Sequence, residues 1–177
     1  FVGISLGTIL IRQLAETNPD KIQSMILGGA IFRMNARSQV LMRLGNIFQY
    51  VVPYLWLYKF FAFVIMPRDN HKSARLLFVN EAKKMNQKEF IKWFILTSEI
   101  NPILRKFRAE QLKISTLYIM GTEDYMFLPS IKKIVLEHSA SAKLVEIQNC
   151  GHVVNVENAV VFNREALHFV DHLTKKS

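Results

Sequence analysis

The chain has 177 residues, half of them apolar, with 23 lysines and arginines against 14 acidic residues, a net charge of +9 and a pI near 9.8. That length and apolar content suit one domain with a buried core and exclude disorder, and seven glycines and five prolines exclude a linker-rich or low-complexity protein. A single cysteine, Cys150, excludes an intrachain disulfide and a cysteine-based zinc cluster, so a reducing compartment, the cytoplasm, is expected.

In chain order, a short apolar stub at Phe1-Val2 runs into a glycine-rich turn, and helical spacing follows from Ile9 to Ala15 until Asn18-Pro19 stops it. Any targeting signal is expected upstream of Phe1. Ile22 to Leu27 is a compact apolar run ended by Gly28-Gly29, as in a buried parallel strand. From about Ile31 to Arg108 the spacing predicts successive helices over Val40 to Phe48, Pro53 to Phe63, Ser73 to Ala82 and Lys88 to Glu99, a helical insertion. Strand-like runs return at Thr116 to Met120, ended by Gly121, and at Lys143 to Ile147, shortly before Gly151. Each is followed by helical periodicity, Pro129 to Leu136 and Val160 to Leu173. Strands alternating with helices predict an α/β fold with a parallel sheet.

Residues 1–30 and 109–177 are thus expected to form the core, with 31–108 as a lid. Within the lid, Ile47 to Met66 approaches the length of a membrane span, but Gln49, Pro53 and Lys59 interrupt it. Two shorter helices over an apolar pocket are predicted, with weak peripheral membrane contact as a further possibility. The clustered cations Lys83-Lys84, Arg105-Lys106-Arg108 and Lys132-Lys133 fall in helical segments and read as solvated faces, so no nucleic-acid partner is expected.

Gly3-Ile4-Ser5-Leu6-Gly7 is a G-x-S-x-G sequence between an apolar stub and a helix. A serine on so sharp a turn is pushed out of the sheet, glycines two residues to either side relieve crowding, and the N–H of Leu6 points at a developing oxyanion. Serine needs a histidine base, and that base needs a carboxylate. Among five histidines, His71 beside Lys72 is expected to face solvent, and His138, His168 and His172 lie in or at the ends of helical stretches. His152 follows Cys150-Gly151 in a loop after a strand, where it reaches over the sheet. In the loop after Gly121 both Glu123 and Asp124 are candidates for the acid. Cys150 reads as a small buried residue, and no residue set has metal-ligand spacing, so neither metal nor cofactor is expected.

With its elbow at Ser5, a Gly-x-x-Asp loop at Gly121 to Asp124, Gly-His at Gly151-His152 and the order Ser, Asp, His, the whole chain resembles the C-terminal part of the α/β-hydrolase superfamily. The resemblance selects Asp124 as the acid, with Glu123 second; Gly28 to Asn35, where some members carry theirs, holds no carboxylate. It implies a serine hydrolase of the carboxylesterase kind acting on an ester, thioester or lactone of a small apolar molecule. A carbon–carbon bond hydrolase, an acyltransferase and a non-catalytic ligand-binding protein are its alternatives. It also implies about four more strands and a second oxyanion donor ahead of the elbow, hence a longer natural protein, little activity in this portion alone, and self-association through an open sheet edge at Phe1-Val2.

Overall fold

A computed structural model describes residues 1–109 and 113–175. Four parallel strands, β1 (Val2–Ile4), β2 (Ser24–Gly28), β3 (Ser115–Gly121) and β4 (Ala142–Ile147), lie side by side in chain order. Val2, Ile26, Leu117 and Lys143 form one row across the sheet. The apolar runs alternate between faces, as the two-residue repeat of a strand requires. Met25, Leu27, Tyr118 and Met120 face helices α1 (Leu6–Thr17), α6 (Asn101–Ala109) and α7 (Leu128–Glu137), through Ile9, Ala15, Leu104, Phe107, Ile131 and Ile134. Ile26, Leu117, Ile119 and Ile147 face the short α8 (Val154–Glu157) and the long α9 (Ala159–Thr174), through Val154, Phe162 and Phe169. Burial on both faces is why β2 and β3 read as continuous apolar runs.

Helices α2 (Ala36–Phe48), α3 (Tyr54–Ile65), α4 (Lys72–Ala82) and α5 (Gln87–Ser98) form a helical group with its own aromatic core around Leu57, Phe90 and Phe94. Asn35 starts α2 through a reciprocal box with Ser38. Gly45 lets Phe61 and Phe94, stacked 5.5 Å apart at 9°, press against the α2 backbone, where a Cβ would meet the Phe94 ring at 2.2 Å. The predicted insertion ran to Arg108, but its last helix belongs to the sheet layer. Ile100, Ile103, Leu104 and Phe107 recur at helical spacing and pack against α1 and the sheet rather than helices α2 to α5.

The apolar run 47–66 is divided as expected: the end of α2, a turn at Pro53, and α3. Among the described residues no helix is long and apolar enough to cross a membrane. Among the described residues β1 pairs with β2 alone, and Phe1 and Val2 are exposed.

Candidate active site

The strand ends converge on one residue triplet. Ser5 sits between β1 and α1 at φ 52°, ψ −119°, a left-handed conformation that a non-glycine residue holds only when its surroundings over-determine it. Those surroundings are the Ser5 N–H donating to the Gly28 carbonyl (2.9 Å) and the buried Thr8, whose hydroxyl donates to the Ser5 carbonyl (2.6 Å) and accepts from the Ile31 N–H (3.2 Å). Gly3 has no room for a side chain, since a Cβ would lie 2.6 Å from Ile11 Cδ1 and 2.9 Å from the Gly7 carbonyl oxygen. Gly7 differs from expectation: a Cβ there meets nothing within 4 Å among the described residues, so crowding falls on Gly3 alone.

Ser5 Oγ lies 2.8 Å from His152 Nε2, and His152 Nδ1 lies 2.8 Å from Asp124 Oδ2. Asp124 is fully buried, and its other oxygen accepts the Phe127 N–H at 3.1 Å. His152 is buried against the Phe127 ring. With Asp124 on Nδ1, the histidine that carries its proton there presents a bare Nε2 to the serine, the arrangement a general base requires. Leu6 opens α1, where a backbone N–H has no carbonyl one turn earlier to bind. The structure therefore brings Ser5, Asp124, His152 and Leu6 together.

The manner in which His152 reaches Ser5 explains two further glycines. The histidine follows β4, at the opposite edge of the sheet from β1, about 14 Å away at ordinary strand spacing. Its loop must cross the ends of β3 and β2, and both ends are glycine. A Cβ on Gly121 would lie 2.1 Å from the carbonyl oxygens of Cys150 and Gly151; one on Gly29, whose φ is +52°, would lie 2.2 Å from that of His152. The strand ends are bare where the loop passes.

Two sequence expectations are corrected here. Glu123, second candidate for the acid, does not touch His152 in this arrangement; it accepts hydrogen bonds from Arg68, from Asn70 Nδ2 (2.9 Å) and from His71 Nε2 (2.8 Å). The Asn70 hydrogen bond, then those of His71 and the charge of Arg68, hold its carboxyl below the usual range against the opposing effect of burial. His71, expected in solvent because Lys72 follows it, is completely buried, since the turn Asp69–His71 carries it inward while Lys72 faces out.

Sequence reasoning also missed Glu157. Its carboxylate accepts the N–H groups of Gly151 (2.7 Å) and Val153 (3.0 Å), on both sides of His152. Its place five residues after His152, on the same loop and helix, was the available signal. Cys150 is buried and its thiol is pushed up to about 12, first by burial and then by Glu157, Glu123 and Asp124, so it stays protonated near neutral pH and is no nucleophile. His138 caps α7, and His168 and His172 are exposed on α9.

Beside the elbow lies a cavity of about 450 Å³ among helices α2 to α5, lined by Leu6, Leu41, Tyr58, Phe61, Phe78 and Phe94 among others. Leu6 links the two, because it begins α1 beside Ser5 and also lines the cavity. Trp93 also lines the cavity and is half-exposed, marking where it meets the surface. No group of three or more histidine, cysteine or acidic side chains suited to a metal occurs among the described residues.

No protein-family model and no curated protein sequence matches the chain. Solved structures do. The chain is similar to MGS-M2, an alpha/beta hydrolase enzyme from a Medee basin deep-sea metagenome library (22% identity, TM-score 0.66, 96% of this chain and 64% of that one). It is similar to a carboxylesterase of the thaumarchaeon Nitrososphaera gargenis (19%, TM-score 0.71, 99% and 65%) and to a bromoperoxidase from Bacillus anthracis (19%, TM-score 0.74, 96% and 66%). It spans about 65% of the length of these chains. The four parallel strands and their helices are thus part of an α/β-hydrolase fold.

Proposed function

We propose that this α/β-hydrolase fold carries a serine hydrolase that cleaves an ester-type bond, whether carboxylester, thioester or lactone, of a small apolar molecule. Ser5 attacks the carbonyl carbon while His152 takes the hydroxyl proton through Nε2. Asp124 holds the imidazole in the required tautomer and balances the imidazolium, and the Leu6 N–H donates to the oxyanion. His152 returns the proton to the leaving group, and a water then repeats the sequence on the acyl-enzyme. The observation that carries this reading is the unbroken relay from Asp124 to His152 to Ser5, 2.8 Å at each step, ending on a strained serine at a helix start. Labelling of the full-length protein by a fluorophosphonate probe tests it, with Ser5-dependent modification as the expected result.

Fold likeness alone does not choose the reaction, since the similar structures include a carboxylesterase and a bromoperoxidase. A carbon–carbon bond hydrolase or an acyltransferase would use the same relay, and product analysis separates them. A ligand-binding protein without catalysis would leave the probe unreacted. The cavity supports an apolar acyl or aromatic group, because aromatic and aliphatic side chains line it next to the elbow. Each methylene buried there contributes about 0.8 kcal/mol, so p-nitrophenyl butyrate is expected to exceed the acetate by about tenfold in kcat/KM. A marked preference for acetate would remove the acyl-pocket assignment.

A second surface supports peripheral contact with anionic lipid. Residues 36–98 hold ten lysines and arginines against three acidic residues, most of the net charge of the chain. In α3 the only charge is Lys59, and it lies in an exposed stripe with Trp56, Phe60 and Phe63. Aromatics that seat at a headgroup boundary, with a lysine able to reach outward among them, suit a helix lying on a bilayer rather than through it. Co-sedimentation with phosphatidylserine vesicles is expected, absent with phosphatidylcholine and lost in high salt. Sedimentation that ignores lipid charge would count against it.

A further inference from the structure

We propose that the corner between α3 and α4, through Arg68, Asn70 and above all His71, positions the catalytic loop, so that the cap sets the geometry of the triad as well as enclosing substrate. This inference rests on the assignment of Ser5, His152 and Asp124 as catalytic. Asp124 and His152 each have a close sequence neighbour gripped by this corner. Next to Asp124, Glu123 accepts from all three corner side chains. Asn70 Nδ2 donates also to the Asn149 carbonyl at 3.0 Å, three residues before His152.

His71 completes the grip. Its ring lies against Gly151, the residue preceding His152, so closely that a Cβ on that glycine would be 2.9 Å from ring atoms. Its Nε2 lies 2.8 Å from Glu123 Oε2 and 3.6 Å from Glu157 Oε2. Glu157 in turn holds the backbone N–H groups flanking His152. One imidazole therefore stands between the carboxylate beside the acid and the carboxylate that fixes the base. Its Nδ1 is buried and without a hydrogen-bond partner among the described residues, a cost that a ring serving only as filling would have no reason to incur. Apolar contacts reinforce the tie, since Val153 packs against Ala62, Met66 and Ala74 of the cap.

The same corner joins two walls of the cavity. Ile65 ends α3 and Phe78 lies in α4, and both line the cavity on either side of residues 68–71. A guest that shifts these helices shifts His71, and with it the loop of His152. Binding in the cap is thereby converted into alignment of the base, an effect that appears in kcat more than in KM.

The test compares the full-length wild-type protein with its His71→Ala, His71→Gln and Arg68→Ala variants, measuring labelling by a small ethyl fluorophosphonate too short to fill the cavity, and kcat and KM for p-nitrophenyl butyrate. Circular dichroism and the thermal midpoint are recorded for each. His71→Ala is expected to lower labelling rate and kcat by about tenfold to a hundredfold, the scale of a misplaced catalytic group, with KM changed less than about threefold. His71→Gln restores an N–H donor towards Glu123 and is expected to recover much of the loss. Arg68→Ala, at a half-exposed position that spares the fold, is expected to give a smaller loss of the same kind. Folded variants that label at the wild-type rate, a loss confined to KM, or a glutamine variant no better than alanine would overturn the positioning role. Absence of Ser5-dependent labelling in the wild type would overturn the catalytic reading itself and this inference with it.

Discussion

Replacing Ser5 by alanine is expected to abolish fluorophosphonate labelling and to lower kcat by about a million-fold, the scale found when the nucleophile of a serine relay is removed. The effect is chemical. Alanine tolerates the local φ of 52° no better and no worse than serine, and the Gly28 carbonyl still receives the backbone N–H. The circular dichroism spectrum should therefore be unchanged while His152 Nε2 loses the oxygen now 2.8 Å away. Labelling that persists in the Ser5→Ala chain would place the reactive group elsewhere and dismiss the relay as a structural hydrogen-bond chain.

Gly121→Ala is expected to have the next largest effect, although it carries no functional group. The added methyl would stand 2.1 Å from two backbone carbonyl oxygens, those of Cys150 and Gly151, and neither can swing aside as a side-chain tip would. The loop must lift from the end of β3, carrying His152 with it. A displacement of about 1 Å costs on the order of a hundredfold in rate, and forcing the backbone apart costs about 3 kcal/mol of stability. The thermal midpoint and labelling rate measured together check both parts. A Gly7→Ala chain is the contrast, because its methyl enters open space and sits in a helix that favours alanine over glycine by about 1 kcal/mol. If the two variants lost stability equally, crowding of the loop over the strand ends would not be the cause.

The features legible in the sequence are those with a local signature. Turn glycines at strand ends, the serine between stub and helix, and a histidine just beyond a strand are each announced within a few residues, so Ser5 and His152 could be named from the residues themselves, whereas the local pattern left Glu123 and Asp124 both open and only the family resemblance chose Asp124. The alternating faces of β2 and β3 follow the same logic. His71 was misread because its environment is made by Glu123, 52 residues away, and because an adjacent lysine speaks only for the surface. Likewise α6 looked like one more helix of the insertion, and only its contacts assign Phe107 to the sheet. Gly7 shows the converse error: a motif position was assigned a steric role that the packing gives to Gly3 alone.

The relay takes one side chain from beyond each of β1, β3 and β4, and β2 between them contributes only backbone. Such a site cannot survive piecemeal. If β1 frays or β4 peels away, nucleophile and base part company, even while α7 and α9 keep their helical signal. The activity proposed for this site would accordingly gauge lateral order across the sheet, and its decay under heat or denaturant would time the unzipping of strands rather than the melting of the molecule.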